Sequence, residues 1–125
     1  MKLKELLKIA NEKERVQYIV INTELAMGKG KIASQAAHAS IEAYDKSNET
    51  EKIKWKEKGM KKIVLKATEK EIVELFQKLK KEGYACSLIK DAGRTQIKPG
   101  SITAMGCGPE NEQKIMKYFE ELKLL

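Results

Sequence analysis

Two basic, glycine-containing segments hold the residues with the clearest chemistry. One runs from Met27 to Lys31 and the other from Asp91 to Gln96, and each follows a run rich in apolar residues. Glycine lets backbone N–H groups converge, a following helix N-terminus adds partial positive charge, and lysine or arginine adds a full charge. The first expectation is therefore a phosphate-bearing ligand.

The second segment combines a carboxylate, a guanidinium, a hydroxyl and an amide, on Asp91, Arg94, Thr95 and Gln96. Groups of these types can position water and stabilise charge in a reaction. A structural alternative stays open, because an aspartate often orders a turn through backbone N–H groups and an arginine often pairs with a surface glutamate.

A polar stripe follows the first segment. At 100° per residue, Lys31, Gln35, His38 and Glu42 fall within an arc of about 60° on a predicted helix that is otherwise rich in alanine. The stripe either faces a functional cleft or is the solvated face of an amphipathic helix. A lone histidine such as His38, the one histidine of the chain, is more often a packing residue than a catalytic one.

The elements that position these residues alternate in type. Apolar β-branched runs predict strands at 16–21, 62–67, 84–89 and 102–107, and periodicity predicts helices at 31–44, 47–59, 68–83 and from Pro109 to the C-terminus. Thr68 and Glu71 form a predicted capping box. This order predicts an α/β fold, a three-layer α/β/α sandwich with a mixed sheet of about four strands. Ligands bind such sheets beyond the carboxyl ends of the strands, where both segments are expected.

Length and composition restrict the class of protein. The 125 residues suit one domain, expected at 16–125, and residues 1–15 are expected to form an amphipathic helical extension that packs on the domain or on a partner subunit. A membrane-surface helix is the disfavoured alternative, because the apolar face is only about two turns long, and no membrane partner is expected. The net charge of +7 favours a polyanionic partner.

No apolar run reaches the roughly 18 residues of a membrane span, so a cytoplasmic protein is expected. Cys86 and Cys107 lack metal-ligand spacing and read as reduced core residues, so neither a metal nor a cofactor is expected.

Known phosphate motifs fit poorly. Residues from Gly28 to Ala33 match G-x-G-x-x-A, but no acidic residue ends a second strand about 20 residues later, as dinucleotide binding requires. An enzyme that binds NAD or ATP through this segment therefore remains a weaker alternative. A cysteine nucleophile paired with His38 is disfavoured, since both cysteines lie in apolar runs.

The two segments together closely resemble the type 2 peptidyl-tRNA hydrolases of archaea and eukaryotes. The matching residues are Met27-Gly28-Lys29-Gly30-Lys31-Ile32-Ala33 with Gln35 and His38, then Ser87-Leu88-Ile89, Asp91-Ala92-Gly93-Arg94-Thr95-Gln96-Ile97 and Pro99-Gly100. The resemblance spans about residues 16–125. It implies an α/β protein, usually a homodimer, that cleaves the ester between a peptide and the terminal ribose of tRNA without a metal.

The resemblance also implies roles for individual residues. Lys31 would stabilise the oxyanion or assist proton transfer, and Asp91 would accept a proton from water or anchor Lys31. Thr95 and Thr103 would bind substrate or water. Gln35 and His38 would orient the site. The expected substrate-binding residues are Gly28, Lys29, Gly30, Arg94, Gln96 and Ser101. The general base is unassigned.

Some positions depart from the family pattern. The chain has Asn22-Thr23-Glu24-Leu25 where the family often has Arg-x-Asp-Leu, and Ser101-Ile102-Thr103-Ala104 where T-x-T-V is typical. A non-catalytic RNA-binding or interaction module that uses the same basic edge is the main alternative. Such a module would bind tRNA and leave its ester intact.

Overall fold

The computed structural model describes residues 14–93 and 98–125. Its strands are β1 (Arg15–Asn22), β2 (Lys62–Ala67), β3 (Cys86–Lys90), β4 (Ile102–Asn111) and β5 (Lys123–Leu124). Its helices are α1 (Lys29–Lys46), α2 (Glu49–Glu57), α3 (Glu69–Lys81) and α4 (Glu112–Phe119), with a 3-10 turn at Thr23–Leu25. None of these helices is long and apolar enough to cross a membrane. The predicted extension lies outside the described residues except for positions 14 and 15, and Arg15 already belongs to β1.

The sheet brings the carboxyl ends of three strands to one edge. Its strand order is β3-β4-β1-β2-β5. Strand β1 is parallel to β2, whereas β4 is antiparallel to both β1 and β3. Strands β1, β2 and β3 therefore point the same way, and we call the edge where they end the carboxyl edge. Strand β4 starts at this edge, so the loop between β3 and β4 lies there too.

Helices cover both faces of the sheet. On one face, Ala39 of α1 packs with Ile19, Ile21 and Ala104, and α1 approaches so closely that a Cβ on Gly106 would lie 2.3 Å from the Ala39 carbonyl oxygen. On the other face, α3 and α4 pack their buried residues on a second cluster built from Val16, Tyr18, Val20, Ile72, Leu79, Ile115 and Phe119. Burial on both faces explains the continuous apolar run of β1. The predicted three-layer α/β/α sandwich is confirmed, with a fifth strand of two residues at one side.

Two predicted helix starts have different outcomes. The capping box of α3 is confirmed, since the Thr68 hydroxyl accepts from the Glu71 amide at 3.2 Å and the Glu71 carboxylate accepts from the Thr68 amide at 3.0 Å. The prediction that Pro109 opens the last helix is wrong. Pro109 lies in β4, beside the irregular pairing between Val16 and Tyr18, where a residue without an N–H is tolerated. Helix α4 begins at Glu112 instead.

Candidate active site

An ion pair joins the two basic segments at the carboxyl edge. Lys31, in the first turn of α1, places its Nζ 2.5 Å from Oδ1 of Asp91, the residue that follows β3. The Asp91 side chain is fully buried and the Lys31 side chain is 20% exposed. Although the two residues are 60 positions apart in sequence, the sheet topology makes them neighbours. The ammonium therefore faces the edge while the carboxylate lies beneath it.

Backbone hydrogen bonds hold Asp91 in this position. Its Oδ2 accepts from the Gly93 amide at 3.0 Å. Its own amide donates to the Ser101 carbonyl at 2.8 Å, and its carbonyl accepts from the Gly100 amide at 3.1 Å. Gly93 has φ of +80°, a conformation that favours glycine. The carboxylate is thus oriented by the protein before any ligand binds.

A second polar pair lies one turn along α1. The Thr103 hydroxyl is 2.6 Å from Oε1 of Gln35 and 3.3 Å from the carbonyl oxygen of Ile89. Thr103 is fully buried and Gln35 is 6% exposed. This pair links α1 to the end of β3 and the start of β4. It fixes the helix that carries Lys31 against the strand that leads to Asp91.

The first turn of α1 is open. Gly28 is the N-cap, makes no side-chain capping bond, and is followed by no acidic residue in the first turn. The amides at the start of a helix have no partner within it, so they are available to an anion. A Cβ at Gly28 or Gly30 would meet nothing within 4 Å. The helix begins at Lys29, two residues earlier than predicted, so Gly30 has helical backbone geometry. Gly28 and Gly30 therefore leave the backbone of the first turn exposed, and neither adopts an unusual backbone conformation.

The remaining predicted residues are distributed unevenly. Ser101 is half-buried and contacts Asp91 through its backbone carbonyl. Lys29 is exposed at the start of α1. His38 is also exposed, and it makes no hydrogen bond within the described part of the chain. Arg94, Thr95 and Gln96 lie outside the described residues, so their roles stay predictions. The structure therefore brings together Lys31, Asp91, Gln35, Thr103 and the backbone of Ser101, and leaves His38 at the surface.

Asn22 is a site residue that the sequence interpretation missed. Its Nδ2 donates to the Ile102 carbonyl at 2.8 Å, and its Oδ1 accepts from the Glu24 amide at 3.0 Å. At 1% exposure it ties the end of β1 to the residue before Thr103. A polar amide at the end of an apolar strand was the available signal, since such a side chain is buried only with hydrogen-bond partners.

The cysteines lie apart from this chemistry. Cys86 and Cys107 are buried, free and directly opposite each other on β3 and β4. Burial raises the pKa of both thiols, which disfavours the nucleophilic thiolate. Among residues 14–93 and 98–125, no three His, Cys, Asp or Glu side chains are grouped as metal ligands.

The fold and the site define an α/β protein that assembles its polar groups at the carboxyl ends of parallel strands. Residues 15–125 match the family model described as Peptidyl-tRNA hydrolase PTH2, and the chain belongs to this family. A Methanococcus maripaludis protein named peptidyl-tRNA hydrolase is 53% identical over 113 residues, covering 87% of this chain and 97% of the relative. Proteins of the same name from Methanocaldococcus jannaschii and Halobacterium salinarum are 44% and 38% identical, each over 86% of this chain and 96% and 97% of the relative.

Proposed function

We propose that this protein hydrolyses the ester between the peptide and the terminal ribose of peptidyl-tRNA, releasing free tRNA for reuse in translation. One observation carries the proposal: in a chain of this family, Lys31 and Asp91 form a fixed ion pair at the carboxyl edge. The named relatives support a hydrolase over a non-catalytic RNA-binding module.

The geometry supports different roles for the two members of the pair. Both carboxylate oxygens of Asp91 accept hydrogen bonds, and its side chain has no exposed surface. We therefore assign Asp91 to anchoring Lys31. The Lys31 ammonium has three N–H donors and partial exposure. We assign it to donating to the ester carbonyl oxygen as negative charge develops there, a type of electrostatic stabilisation that is usually the largest single term in catalysis.

Gln35 is the next group along the reacting face. The single proton of the Thr103 hydroxyl is best placed for Gln35 Oε1, at the shorter of its two distances. The Gln35 amide nitrogen then remains a donor that can orient the attacking water or the substrate. His38 is exposed three residues beyond Gln35, and we assign it no proton transfer.

The open first turn of α1 supports phosphate binding next to the ion pair. Its uncapped amides and the exposed Lys29 favour an anion. The last phosphate of the tRNA strand is the nearest anion to the ester. We assign this phosphate to the first turn, with Arg94 and Gln96 as further predicted partners.

Two finer proposals accompany the activity. Homodimer formation is proposed on the family resemblance, and sedimentation of the purified chain tests it. A cytoplasmic location is proposed because the substrate is a product of translation.

The test of function is release of free tRNA from an N-acetylated aminoacyl-tRNA in excess EDTA, followed over many turnovers. Chelation excludes contaminating metalloenzymes. Multiple turnovers at a rate proportional to protein concentration support the hydrolase. Stable binding of the same substrate without release would instead identify the RNA-binding module.

A further inference from the structure

A concave surface lies at the opposite end of β3 from the ion pair. It is a cavity of about 390 Å³. Lys46, the last residue of α1, and Lys80, near the end of α3, both line it. Strand β3 is an outer strand of the sheet, and α1 and α3 cover opposite faces. The two lysines therefore approach the free edge of β3 from both sides.

The contacts of Lys46 fix its position. Its Nζ lies 3.3 Å from the Ser87 hydroxyl and 3.4 Å from the Cys86 carbonyl oxygen. Both lysine charges oppose the effect of burial on the pKa of Cys86, a residue that also lines the cavity. One carboxylate, that of Glu110, is also present, and its Oε1 accepts from the Asn111 amide at 2.8 Å. The charged side chains of the wall sum to a net positive charge.

A continuous polar stripe connects this cavity to the candidate active site. On α1, the stripe of Lys31, Gln35, His38 and Glu42 continues to Lys46, and the five residues fall within an arc of about 80°. Lys31 reaches the carboxyl end of β3 at Asp91, and Lys46 reaches the amino end of β3. The stripe therefore runs alongside β3 for its whole length. Fifteen residues of helix span about 22 Å.

This distance matches the spacing of a nucleic-acid strand. Phosphates of one stacked strand are about 3.4 Å apart along the axis, so 22 Å corresponds to about six phosphates, and to fewer in an extended strand. If the ester lies at Lys31, the phosphate about six nucleotides from the 3′ end lies at the cavity. In a tRNA, that phosphate is near the point where the unpaired end of the acceptor arm meets its duplex. An RNA strand bound at the ester and aligned with α1 would bring a backbone phosphate to the two lysines.

We propose that the cavity between Lys46 and Lys80 is a phosphate subsite for the acceptor arm of the tRNA, and that the α1 stripe is the track between it and the ester. This inference rests on the proposed hydrolase function. Lysine ammonium groups bind phosphate as point charges and through charge-assisted hydrogen bonds. The subsite would add affinity for intact tRNA without contacting the reacting atoms.

A comparison of two substrates tests the subsite. One is N-acetylated aminoacyl-tRNA, and the other is the same ester on a CCA trinucleotide without a 5′-phosphate, whose two internucleotide phosphates lie well short of the cavity. For the Lys46→Ala/Lys80→Ala variant, we expect KM for the tRNA to rise about tenfold or more. We expect its kcat, and its kcat/KM on the trinucleotide, to stay within about twofold of wild type. The slope of log kcat/KM against log salt should fall by about one for the tRNA.

The matched control is Lys66→Ala/Lys123→Ala. These lysines line a separate cavity of about 270 Å³ at β2 and β5, away from β3 and α1. The control removes the same charge but lies outside the proposed track, so it should change KM for tRNA by about twofold or less. Glu110→Gln removes the opposing charge and should lower KM for tRNA. Equal losses on both substrates, or no loss on tRNA, would overturn the subsite.

Binding of deacylated tRNA separates this proposal from the activity. If wild type hydrolysed neither substrate, the proposed function would fail, while fluorescence anisotropy with deacylated tRNA would still test the cavity. A tenfold weaker affinity in the Lys46→Ala/Lys80→Ala variant alone would support the subsite. Unchanged affinity in that variant would refute it.

Discussion

Removing the ammonium of Lys31 is predicted to cost more folding stability than removing the charge of Asp91, although both changes break the same contact. In Lys31→Met the fully buried carboxylate loses the ammonium of Lys31, and an expected cost of about 3 kcal/mol follows. In Asp91→Asn the partly exposed lysine can turn to water, and the amide oxygen still accepts from Gly93, so we expect about 1 kcal/mol.

Combining the two changes separates stability from chemistry. The double variant Lys31→Met/Asp91→Asn has no buried charge at this position, so its stability should recover to within about 1 kcal/mol of Asp91→Asn. Its activity should not recover. Each single change is expected to lower kcat/KM by about 10²- to 10³-fold, the usual cost of losing one oxyanion donor. Because Asp91 acts through Lys31, the double variant should be no slower than the slower single variant.

Urea unfolding and hydrolysis of N-acetylated aminoacyl-tRNA measure the two quantities on the same four proteins. Wild type, both single variants and the double variant form a complete thermodynamic cycle. Additive losses of activity would show that Asp91 contributes independently of Lys31, for example as a base, and would refute the anchoring role. Equal stabilities of the two single variants would refute the burial argument.

Three further predictions concern neighbouring positions. Gly106→Ala should destabilise the fold by about 3 kcal/mol, because its Cβ would lie 2.3 Å from the Ala39 carbonyl oxygen; Gly30→Ala, in open space, is the control, and equal melting temperatures would contradict this packing. His38→Ala should leave kcat within about threefold of wild type, and a loss near 100-fold would place His38 in the chemistry. Thr103→Val should lower kcat about tenfold by releasing Gln35, and unchanged kcat would remove that hydrogen bond from the mechanism.

The sequence predicted the parts of the fold that depend on local patterns. The apolar run of β1 and the capping box at Thr68 and Glu71 are short-range signals, and both are confirmed. The meeting of Lys31 with Asp91 followed from a general rule, since both residues come after strands whose carboxyl ends share an edge.

The parts that depend on long-range pairing were harder to predict. Pro109 looked like a helix start, but the pairing of β4 with β1 continues past it to Asn111. The contact between Thr103 and Gln35 depends on the register of β4, which no local pattern specifies. The same limit applies to Lys46, because its place on the polar stripe is visible in the sequence while the cavity beside Lys80 depends on how two layers meet at β3.

The most direct test of the central claim is the initial rate of tRNA release by wild type and by Lys31→Met/Asp91→Asn, measured at equal protein concentration in excess EDTA. The account predicts many turnovers by wild type and a rate at least about 100-fold lower for the variant, which should remain folded and still bind tRNA. Equal rates for the two proteins would place the hydrolysis elsewhere in the molecule and contradict the assignment of Lys31 and Asp91.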